Sequence, residues 1–140
     1  MKVISALILL IVSTSLFAAD LPRTPSVEGA EVYFIAPKDG KTVKQTFTVK
    51  FGLRGMGIAP AGIDVPGTGH HHLLIDHDEL PDLSMPLAAS DTLVHFGKGQ
   101  TEASITLKPG KHTLQLVFAD KIHLAHNPPV ISKKITITVK

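Results

Sequence analysis

The stretch VKQTFTVKF (Val43–Phe51) places apolar and polar side chains on opposite sides of an extended chain. The apolar side carries Val43, Phe47, Val49 and Phe51, and the polar side carries Lys44, Thr46, Thr48 and Lys50. A period of two residues is typical of a β-strand that has one face in a core and the other in water. The stretch therefore predicts a half-buried strand and a protein built from sheets.

Short apolar runs separated by glycine, proline and aspartate turns continue this pattern in both directions. The seven predicted strands, A to G, are Glu31–Pro37, Val43–Phe51, His70–His77, Thr92–Phe96, Glu102–Leu107, His112–Phe118 and Ser132–Val139. The GKGQ segment (Gly97–Gln100) predicts a hairpin between strands D and E. Seven strands with no helix between them predict an all-β fold, a single immunoglobulin-like β-sandwich over residues 31–140.

The beginning of the chain has the features of an export signal. Lys2 is followed by the apolar run Val3–Leu16 and by small residues that end at Ala19, and this run is too short to span a membrane comfortably. Residues 1–19 are therefore predicted to be a removable signal peptide, and residues 20–30 a loose leader. We expect a periplasmic or secreted protein with no membrane span after cleavage.

Composition excludes several classes of function. The chain has 14 basic and 12 acidic residues, with no basic block that could bind the phosphates of a nucleic acid. It has no cysteine, which excludes disulfides, thiolate metal sites, a cysteine nucleophile and lipid attachment through cysteine. It also has no tryptophan and one tyrosine, so an aromatic sugar-binding platform is not expected.

The histidines carry the main functional signal, beginning with GTGHHHLLIDHD (Gly67–Asp78). In immunoglobulin topology the B–C, D–E and F–G loops lie at one end of the sandwich. His70 and His72 share one strand face at ~6.6 Å between Cα atoms. Neutral imidazole is a good ligand for copper and zinc, so histidines that meet at this end predict a site for one of these metals. The histidines expected there are His70, His72, His95, His123 and His126, with Asp120 as a possible carboxylate ligand and Met56 as a possible thioether ligand for copper(I).

Structural roles for the same histidines stay open. Imidazoles can satisfy backbone carbonyls of the long loop Leu53–Gly69, and His126 can anchor the turn that precedes two prolines. His95 can cap the predicted hairpin. His112 occupies the corner position of immunoglobulin-like domains, where hydrogen bonding to the E–F turn is expected. His77 and its acidic neighbours form either a second site or a solvated acidic rim.

Motifs that would indicate an enzyme are missing from the sequence. No serine lies in a G-x-S-x-G elbow, GKGQTE lacks the spacing of a phosphate loop, and DHDELPD lacks that of a calcium loop. An enzyme is not expected, although a metal site with an open coordination position would permit catalysis.

Two resemblances support these expectations. LKPGKHTLQLVFADK (Leu107–Lys121) resembles the penultimate-strand region of bacterial immunoglobulin-like domains. GMGIAPAG, GTGHHHLLID, HFGKGQTE, GKHTLQL and NPPVISKKITITV resemble the sequence blocks of the bacterial domain-of-unknown-function family 4399. The second resemblance implies a small exported domain, and that family comes with no established activity or ligand.

The leading hypothesis is a small periplasmic binding protein that holds copper or zinc at a histidine-rich end of the sandwich. The alternative is a metal-free interaction or structural module of the cell envelope. In that case the apolar residues of the B–C loop contact another envelope protein rather than cover the core. The loop residues concerned are Met56, Ile58, Ile63 and Val65.

Overall fold

A computed structural model describes residues 21–140, and the predicted signal peptide lies outside them. Within residues 21–140 there are ten strands: β1 (Glu31–Ala36), β2 (Thr42–Val43), β3 (Thr46–Arg54), β4 (Gly57–Ile58), β5 (Thr68–Ile75), β6 (Leu93–His95), β7 (Glu102–Thr106), β8 (Gly110–Ala119), β9 (Ala125–Ile131) and β10 (Ile135–Val139). Residues 21–140 contain no helix that is long and apolar enough to span a membrane.

The strands form two sheets, as predicted for an all-β sandwich. The smaller sheet has the order β1-β3-β7. The larger sheet has the order β2-β10-β8-β5-β4, with β6 added beside β5 and β9 beside β8. Each of the seven predicted strands overlaps an observed strand of residues 21–140. Predicted strand B overlaps two, β2 and β3, whereas β4 and β9 are additional.

The main core fills the space between the sheets. Alternate side chains of β3 and β5 point into it, including Val49, Phe51, Leu73 and Ile75, all of which are buried. A second apolar cluster lies on the outer face of the larger sheet, where Leu74 meets residues of β6, β8 and β9. Because both of its faces are covered, β5 is buried from Gly69 to Ile75.

The predicted hairpin around GKGQ is wrong. β6 pairs with β5 in the larger sheet, whereas β7 pairs with β3 in the smaller sheet. The chain crosses between the sheets at Phe96, whose ring packs 4.7 Å from that of Phe51 in the main core. A tight turn follows, in which Gly99 N–H donates to Phe96 O at 3.1 Å, but with the Phe96 ring buried in the core the chain then joins the smaller sheet instead of pairing back with β6.

The leader is less loose than its composition suggests. Arg23 donates hydrogen bonds to the carbonyls of Ala125 and His126. The backbone N–H of Asn127 donates to Thr24 O at 2.9 Å, and Ser26 N–H donates back to Asn127 O at 3.2 Å. These bonds hold the leader along β9, at the end of the sandwich where the B–C and F–G loops meet.

Candidate metal centre

Alternation along β5 divides the three consecutive histidines between the two faces of the larger sheet. His71 points into the main core, where its ring lies 5.0 Å from that of Phe51 and 5.3 Å from that of Phe118. His70 and His72 point to the outer face, with ring centroids 4.8 Å apart. The predicted pairing of His70 with His72 on one face is confirmed.

Two further segments bring histidines to this outer face. β6 pairs with β5 in a register that places His95 opposite His72, and their rings stack with centroids 5.1 Å apart. His123 belongs to the turn between β8 and β9, and its ring centroid lies 4.2 Å from that of His95. The four-histidine cluster thus consists of His70, His72, His95 and His123.

The nitrogens of the cluster converge at distances suited to one ion. Nε2 of His70 lies 3.0 Å from Nδ1 of His123 and 3.1 Å from Nε2 of His95. One nitrogen from each of the four rings lies within 4.8 Å of all the others. Four nitrogens around a zinc ion at about 2.0–2.1 Å are separated by roughly 3.3 Å in a tetrahedron. Small ring movements would therefore give metal-binding geometry.

Burial keeps the inner imidazoles in the neutral form that can donate a lone pair. His70 and His72 are fully buried, whereas His95 and His123 are partly exposed. Burial, followed by the neighbouring imidazoles, lowers the pKa of His70 to about 4 and that of His72 to about 2. Burial and the proximity of His123 also lower the pKa of His95. Metal binding at neutral pH would meet little competition from protons at these three rings.

Several buried nitrogens of the cluster lack ordinary hydrogen bonds. Nδ1 of His70 and both ring nitrogens of His72 have no partner within residues 21–140. A buried polar atom without a partner costs about 1–3 kcal/mol. A coordinated cation would supply a partner for one nitrogen of His72, so the donor set fits a metal ion.

Gly97 provides the space that His95 occupies. A Cβ atom at Gly97 would lie 2.4 Å from Nε2 of His95, the nitrogen that faces the cluster, and 3.4 Å from the side chain of Ala61. No ordinary side chain fits there without moving the imidazole. The sequence alone assigned Gly97 only to a turn, and a glycine two positions beyond a histidine was the available signal for this close approach.

His126 lies outside the four-histidine cluster. Its Nε2 and Nδ1 lie 3.2 Å from Thr68 O and 3.4 Å from Phe118 O, and its ring stacks on the ring of Phe118. The ring therefore contacts the backbone of β5 and β8 rather than the other imidazoles. This position matches the anchoring role that the sequence left open.

The two additional ligands considered from the sequence also lie elsewhere. Oδ1 of Asp120 accepts hydrogen bonds from the N–H groups of Ile122 and Leu124, and Oδ2 accepts one from Thr24. Met56 packs against the main core. Neither residue belongs to the four-histidine cluster.

The remaining two histidines contact the opposite part of the larger sheet. Nε2 of His112 lies 2.8 Å from Lys108 O, which confirms the predicted hydrogen bond to the turn before β8, and Nδ1 lies 2.7 Å from Asp76 Oδ2. His77 Nε2 lies 3.1 Å from the Thr92 hydroxyl. His77 is not part of the four-histidine cluster.

Comparison with solved structures finds an endo-beta-1,4-mannanase from Thermotoga petrophila at 18% identity and a TM-score of 0.48. The similarity covers 82% of this chain and 20% of the mannanase chain, so the protein spans only a fifth of that enzyme. No curated protein matches the chain.

Comparison with protein families confirms the resemblance noted in the sequence. The model of the family described as Domain of unknown function (DUF4399) matches residues 49–140. All four members of the four-histidine cluster lie within that range. The chain therefore belongs to the DUF4399 family.

Proposed function

We propose that this protein is a small exported binding protein that holds one transition-metal ion, copper or zinc, in the four-histidine cluster. The observation that carries the proposal is the convergence of four imidazole nitrogens from β5, β6 and the β8–β9 turn. These segments are far apart in the sequence, and imidazole is a preferred ligand of both metals. The proposed ligands leave out His126, whose nitrogens face backbone carbonyls.

The number of donors favours binding without catalysis. Structural zinc sites commonly have four protein ligands, whereas catalytic zinc sites have three and keep a position for water or substrate. Four imidazoles would complete a tetrahedral shell around the ion. The half-exposed His95 and His123 give the ion a path to solvent, while His70 and His72 form the buried side.

Export to the periplasm or beyond is part of the proposal. Its support is the run that begins at Lys2, continues through Val3–Leu16 and ends in small residues at Ala19. Amino-terminal sequencing of the protein recovered from the periplasmic fraction tests it. We expect the mature chain to begin at Asp20, and recovery of the uncleaved chain from the cytoplasm would contradict export.

Metal content is the direct test of the binding proposal. The protein is purified without an affinity tag, because a polyhistidine tag binds the same ions, and is incubated with zinc, copper(II) or, under reducing conditions, copper(I). We expect one ion per chain, and we expect the double variant His70→Ala/His72→Ala to lose it. The matched control is His77→Ala, which removes an imidazole outside the cluster. Failure of wild type to retain any of the three ions would refute the proposal.

A metal-free interaction module is the second candidate, and a different observation favours it. Ile63 and Val65 in the loop before β5 are 49% and 51% exposed. By contrast, Met56, just before β4, and Ile58, in β4, are partly buried against the main core. Exposed apolar side chains in one loop can contact a partner protein. Chemical cross-linking in cells that depends on Ile63 and Val65, together with no metal in the native protein, would favour this candidate.

A further inference from the structure

The turn that carries His123 is built around one buried carboxylate. Asp120 is 3% exposed, and its Oδ1 accepts hydrogen bonds from the backbone N–H groups of Ile122 and Leu124, each at 3.0 Å. The backbone of Asp120 closes the same turn, because its N–H donates to Leu124 O and its carbonyl accepts from His123 N–H, both at 2.9 Å. Backbone and side chain of Asp120 thus fix both ends of the segment that contains His123.

This support matters because His123 has an unfavourable backbone conformation. Its φ angle is +65°, in the left-handed region that residues with a side chain rarely adopt. The surrounding structure must hold a residue in that region. In this conformation the His123 ring reaches the cluster, where its Nδ1 lies 3.0 Å from Nε2 of His70.

The second carboxylate oxygen connects this turn to the leader. Oδ2 of Asp120 accepts a hydrogen bond from the Thr24 hydroxyl at 3.1 Å, and Thr24 is itself held by the N–H of Asn127. The carboxylate therefore has partners on both oxygens. These bonds reach the four-histidine cluster only through the backbone N–H of His123 and involve none of its imidazoles.

We propose that Asp120 is a positioning residue for the metal centre: it fixes the turn that presents His123 and so sets metal affinity without binding the ion. The proposal rests on the proposed metal-binding function. Substitution of outer-shell supports of metal ligands typically lowers metal affinity by about 10- to 100-fold. We expect a loss in this range for Asp120→Ala, with zinc as the probe. Asp120→Asn should retain most of the affinity, since its amide oxygen can still accept both N–H groups.

A double-mutant cycle in the full chain tests whether Asp120 acts through His123. Zinc affinity is measured by chelator competition for wild type, Asp120→Ala, His123→Ala and the double variant, and thermal unfolding of each metal-free protein checks its fold. We expect Asp120→Ala to weaken binding in wild type and to change it little once His123 is alanine. An equal loss in both backgrounds, or no loss in wild type, would overturn the proposal.

A milder variant keeps the test valid if Asp120→Ala does not fold. Thr24→Val removes the hydroxyl that reaches Oδ2 and leaves the two backbone bonds to Oδ1. We expect a smaller loss of zinc affinity that again requires His123, and a loss independent of His123 would contradict the proposal. If wild type binds no zinc or copper, the proposed function fails and this inference fails with it. If wild type binds and neither variant weakens binding, only the positioning role fails.

Discussion

Nε2 of His70 and Nδ1 of His123 lie 3.0 Å apart although 53 positions separate the two residues in the sequence. His70 is fully buried in β5, whereas His123 is partly exposed in the β8–β9 turn. A metal ion between them would connect β5 to the β8–β9 turn on the outer face of the larger sheet. Metal binding and the stability of this end of the molecule are therefore expected to be linked.

The first prediction is that metal ions stabilise the folded protein. A ligand that binds only the folded state at about 100 times its Kd raises the free energy of unfolding by about 2.7 kcal/mol. For a domain of this size that corresponds to a rise in Tm of roughly 10 °C. We expect zinc to produce such a rise in wild type by thermal unfolding, and a chelator to reverse it. A comparable rise in His70→Ala/His72→Ala would show that the ion binds elsewhere.

The second prediction concerns Gly97. An alanine Cβ would lie 2.4 Å from Nε2 of His95, so the imidazole must leave its present position in the cluster. We expect Gly97→Ala to weaken zinc binding by at least about tenfold, as for other changes that misplace a metal ligand. Gly62→Ala is a comparison for unrelated loop strain, because its Cβ would meet nothing within 4 Å although its φ is +84°. Unchanged affinity in Gly97→Ala would contradict the prediction that zinc binding depends on the position of His95 that Gly97 permits.

The sequence predicted most of the cluster because alternation within a strand is a local property. His70 and His72 follow directly from the period of two along β5, and the topology of the sandwich brings the β8–β9 turn to the same end. His95 also joins the cluster, but the strand pairing that places it there differs from the expected one. It pairs with His72 across β5 and β6, rather than ending a hairpin between β6 and β7.

Two parts of the fold depended on tertiary contacts that the sequence does not encode locally. The path after His95 follows from burial of Phe96 against Phe51, which a turn pattern cannot reveal. β9 contains Pro128 and Pro129, and prolines argue against a strand because they cannot donate to a sheet. The strand forms nevertheless, since its regular pairs Val117–Ile131 and Phe118–Val130 lie beyond these prolines.

The third prediction separates His126 from the metal ligands. His126 is 1% exposed, and its ring lies between the backbones of β5 and β8. We expect His126→Ala to lower the free energy of unfolding by about 1–3 kcal/mol through lost hydrogen bonding and packing. Metal stoichiometry should stay at the wild-type value. Loss of the ion from a folded His126→Ala protein would restore His126 as a candidate ligand.

The fourth prediction concerns His71, whose two ring nitrogens have no hydrogen-bond partner within residues 21–140. Replacing a buried, unpartnered polar group by an apolar one of similar size is neutral or stabilising. We therefore expect His71→Leu to unfold at a denaturant concentration equal to or higher than that of wild type. Zinc affinity should not change, because His71 faces Phe51 and Phe118 on the opposite side of the sheet.

Acid sensitivity provides a further readout for His71→Leu. Burial lowers the pKa of His71 from 6.5 in the unfolded chain to about 4. The unfolded state therefore binds the proton first, and stability is full above pH 6.5 and falls as the pH approaches 4. One such group contributes up to about 1.4 kcal/mol per pH unit in that interval. The metal-free variant should lose less stability than metal-free wild type, and parallel curves would contradict the burial of a neutral His71.

The fifth prediction has the opposite sign and concerns His112. Burial alone lowers its pKa, but the hydrogen bonds to Asp76 and Lys108 O and the charge of Asp76 outweigh burial, so the pKa is raised above 6.5. The folded state then holds the proton more tightly than the unfolded state. The stabilising contribution is fully present below pH 6.5 and is lost as the pH rises through the folded-state pKa.

Two variants isolate this contribution from the other histidines. Unfolding free energies from pH 5 to 9 are compared for wild type, His112→Gln and Asp76→Asn, all without metal. We expect the advantage of wild type over His112→Gln to be largest at acidic pH and to shrink as the pH rises, and Asp76→Asn to reduce this dependence. A difference that grew with pH would mean that His112 is neutral in the folded protein and that the contact with Asp76 does not stabilise its charged form.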